Sequence, residues 1–254
     1  MIHTNYYQTT LKKGGVYAMT NENFRKIKDT AIIFLEAPIE VRKIPLNRGE
    51  VRELVVHPFF SSRIVRFVED TEQPYHDILS DNASLQKAIL RFKGLIEKSE
   101  STDSILMLLN ESYRLQFLNI IQKGLSPDEM GRLLADVWVD SERPNNDVIP
   151  LSTIIKWFKN ASKQSLMDAD EFAYYDSLPD KFTVYRGIGS ESNKKGISYT
   201  LSLEKAEWFA NRFQKKGYVL TGTAKKKDVL AYFNRREEQE ILIEPKKIAS
   251  LHKM

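Results

Sequence analysis

Residues 178–245 read LPDKFTVYRGIGSESNKKGISYTLSLEKAEWFANRFQKKGYVLTGTAKKKDVLAYFNRREEQEILIEP, and this stretch decides the fold. Five short runs, FTVYRG, GISYTLS, GYVLTGTA, DVLAYF and EILIEP, are β-branched or aromatic and sit between Gly, Lys and Asn clusters, which is the pattern of strands joined by turns. One helix interrupts them. Leu203, Ala206, Phe209, Ala210 and Phe213 recur at helical spacing behind Ser202, a capping residue, with Glu204 in the first turn.

Upstream the period is helical. Leu85, Ala88, Ile89, Phe92 and Ile96 form one stripe, and a second apolar helix is expected from about Asp103 to Gln122. Ser126, Pro127, Asp128 and Glu129 make a helix start, with a capping serine, proline in the first turn and a glutamate three residues after the cap. That helix should run to about Val139. SERPNNDVIP then reads as a loop, and a further helix is expected over residues 151–161. Residues 1–80 are mixed, with candidate strands at 16–19 and 31–35 and the stretch LVVHPFF. Helices followed by a mostly β region predict an α+β fold rather than a doubly wound sheet.

Composition bounds the chemistry. The chain has 254 residues, 42% of them hydrophobic, which is apolar material for one large or two small cores. No run of about 18 uncharged apolar residues occurs, and the first fifteen residues lack the apolar stretch of a secretory signal, so the expectation is a soluble, cytoplasmic protein without a membrane partner. The absence of cysteine excludes disulfides, thiolate metal sites and cysteine nucleophiles. His3, His57, His76 and His252 are too scattered for a local metal motif, and no metal is expected. Residues 181–254 carry 16 Lys and Arg against 8 Asp and Glu, net +8, whereas residues 1–180 are net −4. A basic C-terminal part suits a diphosphate ligand, a nucleic acid, an acidic partner or a solvated surface.

Strand parity sharpens this. Residues two apart share a face, so EEQEILI is expected to set Glu238, Glu240 and Leu242 on one side and Gln239, Ile241 and Ile243 on the other. Two carboxylates side by side perturb each other's ionisation, a recurring mark of acid/base sites, although an exposed strand with a polar face gives the same spacing. In ISYTLS the hydroxyls of Ser198, Thr200 and Ser202 share a face, and in FTVYRG Arg186 ends an otherwise apolar face.

The order of these elements resembles the arginine–serine–glutamate class of ADP-ribosyltransferases, a group that includes bacterial toxins and phage enzymes. The resemblance covers residues 178–245. It implies an ADP-ribosyltransferase-like antiparallel β core over about 178–254, a helical lobe over about 101–177, and an N-terminal region, 1–100, of unassigned role. It also implies NAD as substrate, with a protein arginine as acceptor and no metal. By position, Arg186 corresponds to the arginine that contacts the NAD phosphates, and Gly187 to a backbone that approaches the nicotinamide amide. Ser198 and Thr200 correspond to hydroxyls that position the ribose and brace the glutamate, Glu240 to the catalytic glutamate and Glu238 to the residue that engages the acceptor. Tyr199 and Thr200 stand where threonine and serine are usual. Tyr232 or Phe233 is the nearest aromatic to meet an acceptor. An NAD glycohydrolase would use the same residues with water as acceptor, and a non-enzymatic nucleic-acid-binding protein would use the basic C-terminal part.

Overall fold

The computed structural model describes residues 21–45, 50–141, 148–189, 196–212 and 217–254. The first helix, α1 (Asn21–Leu35), buries Ile27, Ala31 and Leu35, a stripe repeating every four residues. Residues 31–35 are therefore helical and not a strand as their composition suggests. Within AIIFL, Ala31 and Leu35 are buried, Ile32 and Phe34 pack partly buried against the core, and Ile33 is 68% exposed, as one turn of a helix requires. The other expected N-terminal strand, at 16–19, lies outside the described residues.

Two hairpins follow, β1 (Glu40–Pro45) with β2 (Val51–Val56), and β3 (Ile64–Arg66) with β4 (Tyr75–Asp77), both antiparallel. LVVHPFF becomes the end of β2 and a turn built on His57. Its Nδ1 accepts from the amides of Phe59 and Phe60 at 3.1 and 3.2 Å, so the ring proton sits on Nε2, 3.0 Å from the Ala37 carbonyl. Burial lowers the pKa of this histidine and keeps the ring neutral. The turn drives Phe59 and Phe60 edge-on against Phe92.

Helix α2 (Asn82–Lys98) carries the expected stripe and is capped by Asp81. The single helix expected at 103–122 is two, α3 (Thr102–Leu108) and α4 (Glu111–Ile121). Apolar periodicity runs through the break without Gly or Pro. The cause is tertiary: the Asn110 amide donates to the Pro58 carbonyl at 2.8 Å, and its side chain to the His57 carbonyl at 2.7 Å. Helix α5 (Pro127–Asp140) begins with the expected capping box, Ser126 and Glu129 bonding reciprocally. Helix α6 (Leu151–Asn160) matches its expectation, and most of the loop before it lies outside the described residues. Two short helices not expected from the sequence follow, α7 (Lys163–Leu166) and α8 (Ala169–Ser177), the latter with its own capping box from Asp168 and Glu171.

The C-terminal part forms a six-stranded antiparallel sheet from β5 (Lys181–Ile188), β6 (Ser198–Thr200), β7 (Tyr218–Lys225), β8 (Val229–Phe233), β9 (Glu240–Ile243) and β10 (Ala249–Lys253), in the order β10-β7-β5-β6-β9-β8. Only β10 was not expected. Helix α9 (Leu203–Asn211) packs on β5 and β7 through Ala206 and Ala210. Helices with antiparallel sheets make this an α+β fold. One hydrophobic core runs continuously from Ile27 in α1 to Ile248 before β10. Among the described residues no helix is long and apolar enough to cross a membrane.

Candidate active site

The sheet order makes β5, β6 and β9 neighbours, which brings together the strands of Arg186, Ser198 and Glu240. Thr200 pairs with Tyr185 on one side and Glu240 on the other, and Ser198 pairs with Leu242. Directly opposed residues share a face, so Ser198, Thr200 and Glu240 lie on one side of the sheet. There Ser198 Oγ donates to Glu240 Oε1 at 2.5 Å, and the indole Nε1 of Trp138, from α5, donates to the same oxygen at 3.3 Å.

Glu240 is only 7% exposed. Burial raises the pKa of its carboxyl, and the negative charge of Glu238 pushes the same way. The Ser198 and Trp138 donors and the positive charge of Arg236 pull it down, and desolvation prevails. A carboxylate held in a dry place by two donors is preorganised to act on charge that develops beside it.

Glu238 reaches the same crevice by a different route from simple alternation. Strand β9 begins only at Glu240, and both Glu237 (φ 57°) and Gln239 (φ 49°) are left-handed, so the chain coils through 234–239 instead of extending. The parity argument fails for Glu238 because it assumed a strand where there is a turn. Asn234 closes that turn, accepting the Glu237 amide on its carbonyl at 2.8 Å and the Gln239 amide on its side chain at 3.1 Å. Thr200 Oγ1 donates to the Glu238 carbonyl at 2.7 Å and accepts from the Ser202 amide at 3.0 Å. The Thr200 hydroxyl thus braces the carboxylate loop. Ser202 is the N-cap of α9, as expected, its hydroxyl accepting from the Lys205 amide at 3.2 Å.

Arg186 lies on the opposite face, with Tyr199. Its Cζ is 5.7 Å from the Tyr199 ring centroid, and Nη1 donates to the Ser198 carbonyl. A Cβ at Gly196 would fall 2.2 Å from Arg186 Nη2, so that glycine makes room for the guanidinium. Burial lowers the Arg186 pKa, while Tyr199 and Glu240 act to raise it. The Tyr199 hydroxyl is buried with no hydrogen-bond partner among the described residues. Gly187 has a packing reason to be glycine, since a Cβ there would meet the Ala206 carbonyl of α9 at 2.1 Å.

Val139, Phe233, Arg235, Arg236, Glu238 and Glu240 line a narrow crevice with ≈ 0 Å³ of room for a water molecule. Tyr232, the other aromatic considered, is stacked on Tyr174 and buried in β8. Trp138 and Arg236 were not found from the sequence. A tryptophan on an amphipathic helix reads as core, and its partner Glu240 is 102 positions away.

Elsewhere, Leu35, Ile39, His57, Phe60, Ile78 and Ile89 help line a mostly apolar hollow of ≈ 360 Å³ in the N-terminal part. Several lysines of the basic C-terminal part face acids: Lys226 meets Asp176 at 3.3 Å, Lys247 meets Asp228 at 3.6 Å, and Lys246 meets Glu244 at 2.9 Å. Among the described residues no group of three or more His, Asp and Glu converges as a metal site would. In comparisons with known proteins the chain matches no family model, no curated protein and no solved structure.

Proposed function

We propose that this chain is an NAD-dependent mono-ADP-ribosyltransferase with a protein arginine as acceptor, acting through Glu240. The observation that carries the reading is the buried Glu240 carboxylate held by Ser198, with the carboxylate of Glu238 in the same crevice. Breaking the bond between ribose and nicotinamide develops positive charge on the ribose, as in glycoside hydrolysis. Glu240 supplies the opposing negative field and accepts from a ribose hydroxyl, with Ser198 and Trp138 fixing its orientation. Nicotinamide leaves with the bonding electrons, a guanidine nitrogen bonds to the ribose carbon, and that nitrogen gives up a proton. Glu238 holds the guanidinium by paired hydrogen bonds. Arg186, which donates to the Ser198 carbonyl from the other face of the sheet, steadies the strand whose serine holds Glu240.

The crevice is closed to a water molecule, whereas small-molecule sites hold roughly 300–1,000 Å³, so binding a dinucleotide requires it to open. Of the two arginines that line it, Arg235 is held by Asp136 and Glu171, and Arg236 is the more exposed. The acids interleaved with the C-terminal lysines weaken the case for a nucleic-acid surface.

The test is incubation of purified protein and a bacterial lysate with NAD labelled on the adenylate side. Label entering protein, at a rate that falls about 10²–10³-fold in Glu240→Ala, is the expected result, the scale being that of removing one preorganised electrostatic group. Nicotinamide release without protein labelling would replace the arginine acceptor by water. Absence of both nicotinamide release and NAD binding would overturn the reading.

A further inference from the structure

The loop between β8 and β9 carries two consecutive arginines with different surroundings. Arg235 turns into the helical lobe, where it meets Asp136 at 2.5 Å and Glu171 at 3.6 Å. Arg236 turns the other way, along the crevice. Its Nη2 lies 3.0 Å from Glu238 Oε2, and its Nη1 donates to the Ser141 carbonyl at 3.5 Å. One guanidinium thus bridges a carboxylate and a backbone carbonyl beside Glu240, an arrangement suited to its fork of N–H donors.

We propose that Glu238 and the Ser141 carbonyl form a guanidinium-binding site, and that Arg236 fills it from within the chain as an internal competitor of the acceptor. The competition rests on the transferase reading above, whereas the guanidinium site stands on the contacts themselves. Three features support it. The Arg236 and Glu238 side chains are 37% and 23% exposed, so the pair is accessible to an incoming group and not sealed in the core. Both line the crevice that ends on Glu240. The backbone of Glu238 does not depend on Arg236, because Thr200 holds its carbonyl and Asn234 closes the turn around it. Displacing Arg236 leaves the carboxylate at the crevice with its acceptor oxygens open to another guanidinium.

A partly exposed ion pair is weak, so the internal occupant is displaceable and its removal changes affinity by a small factor, about three-fold. The measurement is an NMR titration of the full-length protein with agmatine, a free guanidine, in the absence of NAD. Agmatine is expected to shift the Arg236 Nε–H resonance of wild type. It should bind Arg236→Ala and Arg236→Gln about three-fold more tightly, and to lose binding in Glu238→Gln. Circular dichroism checks that each variant is folded, and the two Arg236 variants guard against one that is not. Equal affinity in wild type and both Arg236 variants, binding that survives Glu238→Gln, or no binding to any form would overturn the proposal. Nicotinamide release from NAD is followed separately on the same proteins. The agmatine pattern without nicotinamide release would overturn the transferase reading and leave the guanidinium site standing. With release present, the agmatine KM should fall by the same three-fold in the Arg236 variants.

Discussion

Glu240 sits where ionisation and stability oppose each other. Burial raises its folded-state pKa, so the folded chain holds this proton more tightly than the unfolded chain. The stability from the protonated form is complete below about pH 4.5, the ordinary value, and is lost as pH rises through the folded value. Glu240→Gln keeps an acceptor for Ser198 and Trp138 but carries no charge. It should melt above wild type at pH 7, by about 2–4 °C for each 1 kcal/mol recovered, and converge with it in acid. Equal melting at pH 7 would show that the carboxylate is not desolvated. Trp138→Phe removes one donor to the ionised form, so the Glu240 pKa rises further and the acid limb of nicotinamide release should move to higher pH with the alkaline plateau retained. An unmoved limb would reduce Trp138 to packing. At this scale the shared face of Ser198 and Thr200 was legible, because strand parity is local. Trp138 was not, since only the fold brings an indole from α5 to a strand 102 positions later.

At the scale of elements, helix α9 lies so close to β5 that the strand must present bare backbone. A methyl at Gly187 would meet the Ala206 carbonyl at 2.1 Å and the Ala210 nitrogen at 2.6 Å, atoms of a helix backbone that cannot rotate away. Gly187→Ala should lower stability by about 3 kcal/mol, the upper end of overpacking costs. Gly189→Ala, whose new methyl would meet the Ala210 carbonyl at 3.5 Å, should change it little. Similar denaturation midpoints for the two variants would mean that α9 yields. Ser126→Ala removes half of the α5 capping box and should cost about 1 kcal/mol by the same measurement. Elements with local signals were read correctly, the α5 cap and the first five strands of the sheet among them. Those decided by partners were not. Residues 31–35 joined α1 because its stripe faces the core, and the helix expected at 103–122 broke where Asn110 bonds to the chain around His57.

For the whole molecule, the continuous core sets how the chain divides. Phe34 of α1 packs edge-on to Phe117 of α4 with centroids 5.3 Å apart, and Phe117, Leu118 and Ile105 are fully buried. A fragment of residues 101–254 would expose these side chains. It should show helical far-UV circular dichroism without a cooperative melting transition, and should bind a hydrophobic dye. A cooperative transition in the fragment would make the N-terminal region a separable domain.

The sequence by itself determined the α+β class, the capped helices and the strand runs. These follow from period, capping and composition, each readable within a few residues of chain. The tertiary structure decided which strands became neighbours, which face Arg186 took, that Glu238 rides on a left-handed turn, and that Trp138 and Arg236 complete the crevice. Such relations depend on the register and packing of distant segments, and local periodicity carries no information about which segments those are.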